Sequence, residues 1–287
     1  MKTLQKKVAL VTGSSSGIGY ETSLLLARNG FHTCATMRNT EKSESLRKKA
    51  EKEKLPIRFV KLDVDDDDSV DRAIGEIEKE LGKIDVLINN AGYGLVGSFE
   101  DLAPDEIRQQ FETNLFGVIR VIQRVLPGMR TQRNGIIVNI SSGAGIVGFP
   151  CMSGYVSTKF ALEGLSESIA HELLPFGIKV IIIEPGVIKT DFVRNSVTSK
   201  RALSESSAYF DILGKIRENL ILMQEHATSP ADVAKIIFDA INHSEPNLRY
   251  VVGNDIAMVA EAKRNLPEAE FRKMMIQDIL RDLSKDD

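Results

Sequence analysis

Tyr155 and Lys159 lie four positions apart in the stretch "SGYVSTK". On a helix that spacing stacks a phenol over an ammonium on one face. A free phenol ionises near pH ~10 and exchanges protons slowly at neutral pH. A nearby cation favours the phenolate and makes it a usable acid–base group. A solvated Tyr–Lys pair on a helix surface is the ordinary alternative, so the pair gains meaning only from the elements that position it.

A second group of residues could hold phosphate. "VALVTGSSSGIG" sets Gly13, Gly17 and Gly19 between a strand pattern and a helix pattern. Glycines permit a tight turn and close backbone approach, and a helix N-terminus attracts anions. The spacing is G-x-x-x-G-x-G rather than the commoner G-x-G-x-x-G fingerprint. The next strand pattern ends "ATMRN". Where an acid would hold ribose hydroxyls, the chain has Met37 followed by Arg38, and no carboxylate until Glu41. Arginine suits a 2′-phosphate, which points to NADP(H) before NAD(H). Asp63 and Val64 close the third strand pattern, where an adenine would lie. The acidic run Asp65–Asp68 lacks calcium-loop spacing and reads as the start of a helix.

The elements around these residues alternate. Strand patterns at 7–12, 31–37, 57–64, 84–90, 135–142 and 178–186 are separated by helix patterns, including 104–126 and 154–177. Strands this uniformly apolar are buried on both faces, which predicts a doubly wound, Rossmann-type parallel sheet with helices on both sides. Residues 187–229 lack a clear strand and carry the amphipathic "YFDILGKIRENLILM", read as a helical substrate lid. A helix from Pro230 to His243, a short strand "RYVVG" and a charged helical tail, 255–287, complete one domain spanning 1–287.

Composition narrows the function. The chain has 287 residues and a net charge of −3 without a basic face, which argues against nucleic acid. No apolar run approaches the ~20 residues of a membrane span. The basic start runs directly into a strand pattern and reads as no secretory leader. With two cysteines, Cys34 and Cys151, a disulfide framework is excluded and a cytoplasmic location is expected. The four histidines match no metal-ligand spacing, so no metal is expected.

"TGSSSGIG", "NNAG" at Asn89–Gly92, "SS" at 141–142, "YVSTK" and "PG" at 185–186 occur in order over roughly residues 7–190. Together they resemble the short-chain dehydrogenase/reductase family. "CATMR" and "LRY" are similar to its 17β-hydroxysteroid and retinol dehydrogenase branch. The resemblance implies about seven parallel strands and a tetrad of Asn114, Ser142, Tyr155 and Lys159. It implies that Asn114 holds a water leading to Lys159, and that Lys159 also meets the nicotinamide ribose. It places Gly13, Ser15, Gly17, Ile18 and Gly19 at the phosphates and adenosine, and Arg38 at the 2′-phosphate. Asp63 and Val64 flank adenine; Asn90, Ala91 and Gly92 line the ribose; Pro185, Gly186, Ile188 and Thr190 cradle the carboxamide. It implies a small carbonyl or alcohol substrate, lipophilic given Phe192, Val193, Tyr209, Phe210, Ile212 and Leu213 in the lid, and a homodimer or homotetramer. NADP(H) is the expected cofactor, with NAD(H) the alternative. A non-catalytic dinucleotide-binding regulator on the same fold is the rival reading, and an intact tetrad weighs against it.

Overall fold

In a computed structural model, which describes residues 6–283 and side chains through residue 277, the β–α alternation closes into one twisted sheet. Residues 1–5 and 284–287, the leading segment and the end of the tail, lie outside the described residues. The strands are β1 (Val8–Val11), β2 (His32–Met37), β3 (Ile57–Lys61), β4 (Val86–Asn89), β6 (Gly135–Ile140), β7 (Ile178–Pro185) and β9 (Arg249–Val252). They run parallel in the order β3-β2-β1-β4-β6-β7-β9. This is the expected seven-stranded sheet. Its order reverses between β1 and β4, and such a switch point opens a crevice at the carboxyl ends of the strands.

Alternation along β1 shows why the strands must be apolar throughout. Val8 and Leu10 pack into one core layer with α3 (Asp67–Leu81), α5 (Gly117–Gln132) and α6 (Ser153–Leu173). Ala9 and Val11 pack into the other with α1 (Gly17–Arg28) and α8 (Pro230–Asn242). Each fully buried Leu or Ile contributes roughly 1.5–3 kcal/mol, so both layers hold the sheet. The charged α2 (Glu44–Glu53) covers the β2–β3 edge through Leu46. Asp66 caps α3 by accepting from Ser69 N at 3.0 Å, so the acidic run is a helix start.

Three boundaries differ from the sequence reading. The helix expected from Pro104 is divided into α4 (Pro104–Phe111), a π-turn over Glu112–Phe116, and α5. It also continues past Pro127 to Gln132, because Val125 and the fully buried Met129 hold its inner face on the sheet. The tail is two helices, α9 (Asn254–Asn265) and α10 (Glu268–Leu283). The region 187–229 contains α7 (Phe210–Met223) as expected, but also a two-residue strand, β8 (Val197–Thr198), paired in parallel with β5 (Leu95–Val96).

Candidate active site

The crevice at the switch point is a cleft of about 1190 Å³. One end is built by the glycine loop. Gly13 has φ +68°, and a Cβ there would lie 2.9 Å from Ala91 Cα, so only glycine lets the β1 and β4 loops meet. Thr12 Oγ1 accepts from Asn90 N and Ala91 N, both at 3.0 Å, and Asn90 Nδ2 donates to Thr12 O and Gly13 O at 2.9 and 3.0 Å. The Asn90 amide is therefore spent on fixing the loop, although the residue still borders the cleft.

Of the expected cofactor residues, Gly13, Ser15, Ile18, Arg38, Asp63, Val64, Asn90, Ala91, Gly92, Pro185, Gly186, Ile188 and Thr190 line the cleft. Gly17 and Gly19 do not line it; a Cβ on Gly17 would lie 3.2 Å from Thr190, and one on Gly19 would come within 2.5 Å of Gly13 O. Arg38 is exposed at the rim, with Asn39 and Lys42 beside it on the cleft wall; the sequence reading had not singled out those two. Glu41 is not on that wall.

Tyr155 and Lys159 project from α6 into the same cleft, and the pair is buried, at 6% and 7% exposure. Lys159 Nζ donates to Ile140 O at 2.8 Å and stands 5.7 Å from the centre of the Tyr155 ring. Two buried amides set the helix in place: Asn89 Nδ2 donates to Asn139 Oδ1, and Asn139 Nδ2 to Ser166 Oγ on α6, each at 2.8 Å. Ser142 sits at the end of β6, where its Oγ accepts from Ala144 N at 3.1 Å.

The electrostatics differ from the simple expectation. Burial pushes the Tyr155 phenol up to about 12, and the Ser142 hydroxyl only partly offsets this. Burial pulls the Lys159 amine down to about 8, against the attraction of Glu163. Loss of water dominates here, so the phenol is a neutral donor at physiological pH.

Asn114 sits in the π-turn and does not line the cleft. Its Nδ2 donates to Tyr93 O at 2.9 Å and Thr158 Oγ1 at 3.3 Å, and its Oδ1 accepts from Tyr93 N at 3.1 Å. Its side chain braces the "NNAG" loop against α6 rather than presenting free polar atoms to a water. π-turns are frequent at functional positions, and this one aims Asn114 inward.

The far wall comes from the lid and tail. Phe192 packs on Tyr155 with ring centroids 5.8 Å apart. Phe192 and Val193 line the cleft as expected, but Tyr209, Phe210, Ile212 and Leu213 do not. Leu213 instead packs with Val96 and Ala202, fastening the lid. The lining residues of α7 are on its other half, including Ile216, Leu220 and Met223. Asp255, Ile256, Val259 and Met275 of the tail also reach the cleft, which the sequence reading missed. Apolar spacing in "DIAMVAEA" was the available signal, masked by the charged residues around it. Asp255 Oδ2 accepts from Val187 N at 2.8 Å and so fixes the loop after β7. His226 is exposed and away from the cleft, and Cys151 packs against the Leu213 cluster.

The sequence profile of the short chain dehydrogenase family matches residues 7–201. The chain is a short-chain dehydrogenase/reductase. An uncharacterized oxidoreductase of Bacillus subtilis is 41% identical over 276 residues, covering 95% of this chain and 98% of that protein. Human retinol dehydrogenase 8 is 36% identical over 252 residues, covering 85% of this chain and 80% of that protein. A crystal structure of a short-chain dehydrogenase from Streptomyces avermitilis superposes with a TM-score of 0.83 at 33% identity, covering 98% of this chain and all of that one. The structure of ElxO with NADP bound superposes with a TM-score of 0.69 at 32% identity, covering 86% and 96%. This short-chain dehydrogenase/reductase is thus an oxidoreductase acting on CH–OH groups with a nicotinamide dinucleotide. Among the described residues no helix is long and apolar enough to cross a membrane, and no cluster of His, Cys, Asp and Glu could hold a metal.

Proposed function

We propose that this enzyme interconverts a lipophilic carbonyl compound and its alcohol, prefers NADP(H), and uses Tyr155 as acid and base. The observation that carries the reading is the buried Tyr155 hydroxyl, set between Ser142, Lys159 and the apolar lid at the inner end of the glycine-loop cleft. The glycine-loop cradle fits a dinucleotide, because the loop leads from β1 into the N-terminus of α1 along the cleft, and Gly13 lets it seat directly on Ala91. A bound nicotinamide supplies or removes the hydride.

The chain's residues do the rest. Gly13, Ser15 and Ile18 present backbone to the phosphates, while Gly17 and Gly19 keep the loop low enough for approach. Arg38, with Lys42, takes the 2′-phosphate; Asp63 and Val64 flank adenine. Asn90, Ala91 and Gly92 border the ribose, and Pro185, Gly186, Ile188 and Thr190 hold the carboxamide. Ser142 donates to the substrate oxygen. In reduction Tyr155 passes its hydroxyl proton to that oxygen, starting from the neutral phenol that burial favours. In the reverse direction Lys159 stabilises the phenolate by charge, and Asn114 steadies the loop and helix that frame the pair.

Phe192, Val193, Leu220 and Met223 form the substrate wall and suit an apolar body. The similarity to retinol dehydrogenase 8 supports a lipophilic alcohol or carbonyl. Phe116, 49% exposed at the end of the π-turn, and Phe160, 42% exposed on α6, support a homodimer or homotetramer through those helices. Two free cysteines, one of them buried, accord with a reducing cytoplasm.

The test is Tyr155→Phe, assayed by NADPH oxidation across aldehydes, ketosteroids and retinal. The expected result is a fall in kcat of about 10²–10⁴-fold with NADPH binding retained. Unchanged turnover on every substrate the wild type accepts would refute the role of Tyr155.

A further inference from the structure

Tyr155, Lys159 and Glu163 follow one another at four-residue intervals on α6, and all are buried, Glu163 at 8% exposure. Ionisable groups are rarely buried unless paired. The roles above use the first two and leave Glu163 without one.

Glu163 Oε2 accepts from Arg249 Nε at 3.0 Å. Its Oε1 is buried beside Ser141 Oγ; burial pushes the Glu163 carboxyl above its ordinary value, and the Ser141 hydroxyl, Arg249 and Lys159 oppose that push. Both atoms crowd Gly145, where a Cβ would lie 3.2 Å from the first and 2.7 Å from the second. The carboxylate is thus pinned from behind by Arg249, and its other oxygen lies at the end of β6 near Ser141, next to Ile140, whose carbonyl accepts a hydrogen bond from Lys159 Nζ.

The charges around Lys159 come from several elements. Tyr155, Glu163 and Glu167 belong to α6, Glu184 to β7, Arg249 to β9 and Arg264 to α9. Serines 141 and 142 and the Ile140 carbonyl belong to the end of β6 and the turn after it. Arg249 Nη2 also donates to Glu167 Oε2 at 2.6 Å, and Glu184 Oε1 lies 3.9 Å from Arg249 Nε. Two buried carboxyls, Glu163 and Glu184, therefore share one guanidinium. The second cation within the cluster is the Lys159 amine, whose tendency to lose its proton on burial is opposed by Glu163.

We propose that Glu163 is a positioning residue whose carboxylate, oriented by Arg249, keeps the Lys159 amine protonated beside Tyr155. The inference rests on the roles proposed for Tyr155 and Lys159 and adds what holds the lysine in its working charge state.

The test follows the Lys159 Cε resonance across pH in cofactor-free protein labelled with ¹³C-lysine, the signal being assigned by its loss in Lys159→Met. Glu163→Gln keeps the shape and removes the charge, and its Lys159 midpoint is expected to fall by about one pH unit. Glu163→Asp keeps the charge, and its midpoint is expected to stay closer to wild type than that of the Gln variant. An unmoved midpoint in Glu163→Gln, or equal shifts in the two variants, overturns the proposal. If Glu163→Gln does not fold, Glu163→Met removes the charge with an apolar side chain suited to a buried position, and an unmoved Lys159 midpoint in that variant overturns the proposal. The titration needs no turnover. Loss of activity in Tyr155→Phe together with an unmoved midpoint would therefore refute this inference while leaving the catalytic reading intact.

Discussion

The two walls of the cleft are held by different forces. The floor, from the glycine loop to the end of β7, is fastened by main-chain geometry: Gly13 against Ala91, Thr12 Oγ1 under Asn90 and Ala91, and strands buried on both faces. The lid is fastened by one two-residue ladder, β5 with β8, and otherwise by a few side chains: Leu213 in its small apolar cluster, and Asp101 accepting from Ser98 and Ser207 hydroxyls at 2.8 and 2.6 Å. Backbone fit at the floor tolerates little change, because an added Cβ at Gly13 or Gly19 would collide with the neighbouring chain. Side-chain contacts at the lid can be exchanged one at a time. The floor is therefore the place for the constant part of the reaction, the dinucleotide, and the lid for the variable part, the substrate.

That contrast can be broken most sharply at Arg38. Arg38→Asp should reverse the preference from NADPH to NADH by about 100-fold in the ratio of kcat/KM, since each charge-assisted bond contributes roughly 1.5–3 kcal/mol. Equal use of both cofactors by the wild type would remove the basis for this expectation. The lid offers a complementary case. Leu213→Ala should raise KM for a lipophilic substrate by about tenfold and leave the NADPH dissociation constant unchanged, because the cavity loosens the lid and not the floor. If fluorescence titration shows NADPH binding weakened in parallel, floor and lid are not separable.

An effect on stability rather than on turnover lies beneath both walls, at Glu184. Burial, with Glu163 adding to it, raises this carboxyl to about 7 from an ordinary 4.5. Between those values the folded state holds a proton that the unfolded chain has released. Stability therefore falls as pH rises from 4.5 to 7. Glu184→Gln should abolish that fall, so its melting temperature should gain on the wild type as pH is raised through the window, by the equivalent of about 3 kcal/mol. A difference in Tm that is constant with pH would show that Glu184 is ionised throughout.

The floor was legible in the sequence for the same reason that it is rigid. "TGSSSGIG", "NNAG" and "PG" record backbone constraints, which only a few residue types satisfy. Tyr155 and Lys159 were legible by spacing, but their ionisation was not: the phenol is raised because α6 is covered, and cover depends on residues distant in sequence. Asn114 was identified, whereas its bonds to Tyr93 were not, because they depend on a π-turn that no residue pattern marks. The lid was read as helical, and α7 is, but the wrong half of the helix was assigned to the cleft. A helix of alternating apolar and charged residues does not say which stripe meets the core and which the ligand. Met275 and Val259 were unreadable for a related reason, since their helices return to the cleft only through tertiary packing.

The pairing of β5 with β8 carries one more implication. Leu95 meets Val197 across about 100 intervening residues, and the patch is only two residues long on each side. So short a ladder cannot hold such a distant closure alone, and it forms once the large sheet has brought its two ends near one another. During synthesis and refolding the chain would then acquire a nucleotide crevice before it acquires a selective mouth. Early folded molecules would grip the coenzyme while still open to the solvent on the other side.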